Sequence, residues 1–144
     1  MLTIRRFNFI KDIRAIMTIE KSVFGRDAFP APEFLYLQQI GKGLFLVAML
    51  DENIVGYISA YTQGNKGYIA SIAVAIEFRR RGIAKRLMQE IMNKLATVNY
   101  IELHVRQSNE GAITFYKGLD FEISDIEEDY YPDESAFIMT LHIE

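Results

Sequence analysis

The sequence predicts an α+β domain: one mixed, mostly antiparallel sheet of about seven strands with about four helices on its faces. Two observations predict it. The early apolar, β-rich runs are joined by turns of three to five polar residues, whereas later runs are separated by stretches with helical spacing. In addition, the 144 residues contain no repeat, low-complexity stretch or linker, so a single domain over 1–144 is expected.

Each element has its own signal. Leu2 to Phe7 reads as a strand, and Ile10, Ile13, Ile16, Met17 and Ile19 then recur at mainly helical spacing behind a cap at Asn8. Gly25 ends that helix, Phe29-Pro30-Ala31-Pro32 is a rigid connection, and Pro32 opens a short helix to about Ile40. Leu44–Leu50 and Ile54–Tyr61 flank Asp51-Glu52-Asn53 as a hairpin. A turn over Gln63–Gly67 precedes a strand from Tyr68 to about Ala75. Ile83, Leu87, Ile91 and Leu95 step by four along a third helix, with Met88 and Met92 beside them. Ile101, Leu103 and Val105 alternate with Glu102 and His104, the pattern of a half-buried strand. A short helix from Asn109 to about Lys117 turns Ala112, Ile113, Phe115 and Tyr116 inward, and Phe121–Ile126 and Ala136–Ile143 are the closing strands. The acidic stretch between those two reads as a solvated loop.

Composition excludes several function classes. The net charge of −3 disfavours a nucleic-acid partner, since phosphate backbones call for a basic surface. The absence of cysteine removes disulfides, thiolate metal sites and a cysteine nucleophile, and the two histidines, His104 and His142, are far apart, so no metal is expected. The longest apolar run, Leu44–Leu50, is too short to span a bilayer, and the first residues have no apolar core of signal-peptide length. The expected location is cytoplasmic, with no membrane partner.

One turn carries chemistry. Arg79-Arg80-Arg81-Gly82-Ile83-Ala84 lies between a predicted strand and the start of the third helix. A helix start presents unpaired N–H groups and the positive end of the helix dipole. Gly82 and the small Ala84 leave room for a diphosphate, and the arginines add charge-assisted contacts.

Ile69–Val74 followed by Arg79-x-x-Gly82-x-Ala84 resembles the acetyl-coenzyme A signature of the GNAT acetyltransferases. Leu103-His104-Val105-Arg106-Gln107-Ser108-Asn109-Glu110-Gly111-Ala112 resembles more specifically the protein N-terminal acetyltransferases and the bacterial ribosomal-protein alanine acetyltransferases. The likeness runs from about Leu44 to the C-terminus. It implies the GNAT fold and acetyl-CoA as cofactor, bound by Ile72, Ala73, Val74, Arg79, Arg80, Arg81, Gly82, Ile83, Ala84, Lys85, Asn109 and Tyr116. Tyr116 falls where the family places a tyrosine near the coenzyme sulfur. Tyr68 and His104 match functional positions and are the candidate bases, although the bacterial ribosomal enzymes carry glutamate where His104 stands. Tyr130-Tyr131-Pro132 resembles a tyrosine pair that grips the substrate backbone, and Phe29 and Pro30 match the loop that shapes the first side-chain pocket. Two departures stand out. Asp120 occupies a position where the family usually has glycine, and Ala84 replaces the commoner glycine of the signature.

The resemblance implies transfer of acetyl from acetyl-CoA to the α-amine of proteins or peptides, ribosomal or nascent chains among them. An α-amine, with a reference pKa near 7.7–8.0, is roughly a tenth neutral at pH 7, so it needs positioning more than a strong base. The acidic stretch around Tyr130 and Tyr131 would steer a cationic N-terminus. A small-molecule amine acetyltransferase and a non-catalytic acyl-CoA-binding module are the alternative readings.

Overall fold

The computed structural model describes residues 1–143. Its elements are β1 (Leu2–Arg6), α1 (Phe9–Phe24), α2 (Ala31–Gly41), β2 (Phe45–Leu50), β3 (Asn53–Gln63), β4 (Lys66–Val74), α3 (Ile83–Lys94), β5 (Tyr100–Arg106), α4 (Glu110–Gly118), β6 (Glu122–Tyr131) and β7 (Glu134–His142). All seven strands form one sheet in the order β1-β2-β3-β4-β5-β7-β6. β1 with β2, β2 with β3, β5 with β7 and β6 with β7 pair antiparallel, whereas β4 and β5 run parallel. No described helix is long and apolar enough to cross a membrane. Two compact units emerge: Met1–Tyr61 with Ile69–Ala96, and Thr62–Tyr68 with the residues from Thr97 on.

In the first unit, Asn8 caps α1 by accepting the Lys11 N–H at 3.0 Å, and Gly25 ends it. The core gathers Ile16 and Ile19 of α1, Phe34 and Leu37 of α2, Phe45 and Val47 of β2, and Tyr57 of β3. Phe7, just beyond β1, stacks on Phe45 with ring centres 3.9 Å apart. Ile10 departs from the expected stripe and is 92 % exposed. At about 100° per residue it lies roughly 120° around the helix from Ile16, off the buried face. That face instead includes two carboxylates, Asp12 and Glu20. On α3 the buried stripe is Ile83, Leu87, Met88 and Ile91, as the spacing by four predicts.

The second unit shows the alternation expected of β5: Ile101, Leu103 and Val105 are buried, while Glu102, His104 and Arg106 share the other face. Three differences from the sequence reading have local causes. The β3–β4 turn is tighter than Gln63–Gly67, because Gly64 adopts φ 60° and β4 already begins at Lys66. Only Tyr116 of the inward set on α4 is fully buried; Ala112, Ile113 and Phe115 are partly covered. The acidic stretch is not a loop: β6 continues to Tyr131, with Ile126 opposite Phe137 and Glu127 opposite Ala136. β6 is an edge strand, where charged side chains meet water on the open side.

Asp120 explains its own departure from the family pattern. It follows the end of α4 at φ 73°, the left-handed region where glycine is favoured and aspartate is among the better-tolerated alternatives. Its N–H donates to Lys117 O at 3.0 Å, and the next residue, Phe121, is buried.

Candidate active site

Within the first unit, β4 ends at Val74 and a short 3-10 turn over Ile76–Phe78 leads to the arginine run. Ala73 and Val74 are buried and Ile72 is partly so. Arg80 adopts φ 66° and Gly82 φ 77°, and Gly82 then caps α3 without any side-chain bond to the first turn. The first N–H groups of α3 therefore keep their bonding capacity, since intrahelical bonding starts with Arg86 N to Gly82 O. A Cβ on Gly82 would meet nothing within 4 Å, so the glycine is required by its backbone angle rather than by crowding. Arg79, Arg80, Arg81 and Lys85 are exposed, Ala84 is partly buried and Ile83 anchors the turn in the core. Arg81 lies over the Phe78 ring, its guanidinium carbon 5.1 Å from the ring centre. The open N–H groups, the small residue beyond them and the surrounding cations fit a diphosphate.

Phe29 and Pro30 lie in the same unit, between α1 and α2. The Phe29 N–H donates to Glu20 Oε2 at 3.0 Å. Tyr57 donates its hydroxyl to Glu20 Oε1 and stands 3.2 Å from Ser71 Oγ on β4. Glu20 is 1 % exposed; burial pushes its carboxyl up to about 7, and the Phe29 N–H draws it back only partly. Sequence alone did not mark this network, because Glu20 sits in a run that reads as an ordinary amphipathic helix. A raised acid binds its proton more tightly when folded, so its stabilising share is complete below its ordinary 4.5 and is lost as pH rises through about 7. Glu20→Gln should flatten that decline when thermal unfolding is followed from about pH 5 to about pH 8. An unchanged slope in the variant would assign the decline to other groups.

The second unit brings four of the expected residues together. Tyr68 on β4 shares a hydrogen bond with His104 Nδ1 on β5. Tyr130 stacks on the His104 ring with centres 4.1 Å apart and planes 9° from parallel. Tyr131 meets Tyr130 edge-on at 4.9 Å. The hairpin carrying both tyrosines is clamped by Arg106, whose guanidinium lies 4.2 Å over Tyr131 and donates to Asp133 at 2.8 Å and Glu134 at 2.9 Å. The hydrogen bond from Arg106, and then those from Ser108, hold the Glu134 carboxyl below its ordinary range.

Two residues of this cluster escaped the sequence reading. Arg106 was read only as part of a motif, and Glu127, whose Oε1 lies 2.8 Å from His104 Nε2, only as one acid in a charged run. No spacing links positions 104 and 127; the strand order β5-β7-β6 does.

Tyr116 is buried on α4 against Phe115 and Phe121. Burial, and secondarily Tyr131, push its phenol well above the ordinary value of 10. Asn109 caps α4 by accepting the Ala112 N–H at 3.2 Å, as expected. Among the described residues no three His, Asp or Glu side chains group as a metal site.

A strand running into an uncapped, arginine-flanked helix start offers a diphosphate a place to bind, and the family match assigns the class: an acetyl-CoA-dependent N-acetyltransferase. The chain belongs to the acetyltransferase (GNAT) family, whose model matches residues 11–121. It is 34% identical over 142 residues to an uncharacterised N-acetyltransferase of Methanocaldococcus jannaschii, covering 96% of this chain and 90% of that one. It is 33% identical over 126 residues to an N-alpha-acetyltransferase of Saccharolobus solfataricus, covering 75% of each. Against the N-alpha-acetyltransferase daf-31 of Caenorhabditis elegans, 35% identical over 118 residues, it spans 60% of the relative's length. Among solved structures, Ard1 of Thermoplasma volcanium superposes with a TM-score of 0.94 at 27% identity, over 99% of this chain and 98% of the other.

Proposed function

We propose that the protein acetylates the α-amino group of polypeptide N-termini. The observation that carries this reading is the Tyr68–His104 pair under the ring of Tyr130, an acid–base couple built into the same unit as an aromatic pair suited to a peptide backbone. The N-alpha-acetyltransferase relatives support it.

In this reading the α3 turn from Arg79 to Lys85 holds the coenzyme diphosphate, with Asn109 as a further contact. Acetyl-CoA supplies the acetyl group as a thioester. The backbone N–H groups of Ile72–Val74 hold the pantetheine arm and polarise the thioester carbonyl, a role worth several kcal/mol where such donors are preorganised, about 3–4 for one donor. Phe29 and Pro30 border the first side chain, and Tyr130 and Tyr131 hold the backbone behind it. Tyr68 and His104 take up the proton the amine loses as the C–N bond forms. The buried phenol of Tyr116 acts at the departing sulfur. Because its proton is held more tightly than that of a thiol near 8.5, its role is to stabilise the thiolate by a hydrogen bond more than to surrender the proton.

The test is a panel of peptides varied at the first two residues, incubated with acetyl-CoA and read by mass spectrometry. One acetyl group at the α-amine of a subset is the expected result. Modification of free polyamines or other small amines alone would instead establish a small-molecule acetyltransferase. Tight coenzyme binding without turnover on any amine would establish a binding module.

A further inference from the structure

His104 is engaged on both ring nitrogens. Nδ1 meets the Tyr68 hydroxyl, Nε2 lies 2.8 Å from Glu127 Oε1, and the Tyr130 ring covers one face. A neutral imidazole carries one proton, on either nitrogen, and its partners decide which. An ionised carboxylate can only accept, so Glu127 demands the proton on Nε2. Nδ1 is then left with a lone pair, which is what the Tyr68 O–H requires of it. With the proton on Nδ1 instead, the Tyr68 oxygen would have to accept rather than donate, and Glu127 would lose its donor.

We propose that Glu127 is a positioning residue that holds His104 in the Nε2–H tautomer and so points the proton path from the amine through Tyr68 to Nδ1. The inference rests on the reading of Tyr68 and His104 as the base. As the C–N bond forms and the C–S bond breaks, the amine proton passes to the Tyr68 oxygen while the Tyr68 proton passes to Nδ1. The resulting imidazolium is stabilised by the Glu127 carboxylate, which itself stays unprotonated, and later returns its proton to water. The departing thiolate, held by Tyr116, takes a proton from solvent.

The neighbouring acids do not share this position. Asp133 and Glu134 are bound by Arg106, and Glu134 also by Ser108. Asp125 accepts the Ile126 N–H. Glu127 is the described acid whose carboxylate reaches the imidazole. Its side chain is 50% exposed and that of His104 13%, so water weakens the pair. A buried carboxylate in the corresponding role of the serine proteases is worth about 10⁴ in kcat, and the effect here is correspondingly smaller, about tenfold.

The experiment compares wild type, Glu127→Leu, Glu127→Gln and His104→Ala, with folding checked by circular dichroism. Imidazole ¹⁵N shifts report the His104 tautomer, and turnover is measured with acetyl-CoA and a free α-amine peptide from the panel. Glu127→Leu should populate the Nδ1–H tautomer and lower kcat about tenfold with coenzyme affinity unchanged. Glu127→Gln, whose amide oxygen can still accept from Nε2–H, should keep the tautomer and lose only part of the rate. If Glu127→Leu leaves both tautomer and kcat at wild-type values while His104→Ala is impaired, Glu127 is only a surface ion-pair partner and the inference is wrong. Unimpaired turnover in His104→Ala would instead overturn the base assignment beneath it. The tautomer can be read without turnover, so a wild type that populates Nδ1–H also refutes the inference.

Discussion

Replacing His104 with alanine should lower kcat by about 10²–10⁴-fold, the range that general-base assistance contributes. In the proposed reading the imidazole accepts the Tyr68 proton, and it also contacts Glu127 and Tyr130, so its loss would remove the acceptor and the geometry of the phenol together. Affinity for acetyl-CoA should stay within about twofold, since the turn expected to bind the diphosphate is built from Arg79 to Lys85. Steady-state kinetics over a pH series, with calorimetry for coenzyme binding, makes the comparison. Because the base takes the proton lost after the neutral amine attacks, the defect should persist as pH rises and the amine becomes fully neutral in both proteins. A defect in coenzyme binding with normal kcat would show that His104 is structural.

The second large effect concerns stability. Asp12→Ala should cost about 3 kcal/mol, which for a chain of this length lowers Tm by on the order of 10 °C. Asp12 is 2 % exposed and accepts two hydrogen bonds from Arg5, each 2.8 Å, and a third from the Asn8 N–H at 2.8 Å. It thereby joins β1 to the first turn of α1, and its removal strands a guanidinium and an N–H together. The figure sits at the low end for a broken buried pair because the Arg5 side chain keeps 35% of its exposure. Burial alone would raise the Asp12 carboxyl, but the Arg5 bonds, the Asn8 N–H and the charges of Arg5 and Lys11 outweigh it and hold it below 3.8. Its contribution is therefore present above 3.8 and is lost as pH falls through the lowered value, the opposite sense to Glu20. Thermal unfolding of wild type and variant should converge in acid; a gap that persists there would attribute the loss to packing.

The order of elements was legible in the sequence because local rules set it: the four-residue steps of α3, the alternation of β5, the cap at Asn8. The turn from Arg79 to Lys85 was legible for the same reason, as strand, turn and helix start are contiguous. What sequence could not show depends on pairing between distant strands. Glu127 reaches His104 only because β6 and β5 flank β7, and Glu20 meets Tyr57 only because α1 packs its carboxylate inward. The acidic stretch misled because charge density resembles that of a solvated loop, whereas an edge strand hydrogen-bonds along one side and tolerates charge on the other.

The strand β6 has a further consequence, for how copies of this chain meet. Its outer edge offers unpaired backbone groups, and Ile123 and Ile126 on it are 39% and 50% exposed, features that invite edge-to-edge stacking. Glu122, Asp125, Glu127, Glu128 and Asp129 lie along the same strand without an intervening cation. Two such edges brought together would set carboxylate against carboxylate, a repulsion that disfavours edge-to-edge pairing. The strand that presents Tyr130 thus also carries the charge pattern of a guarded edge.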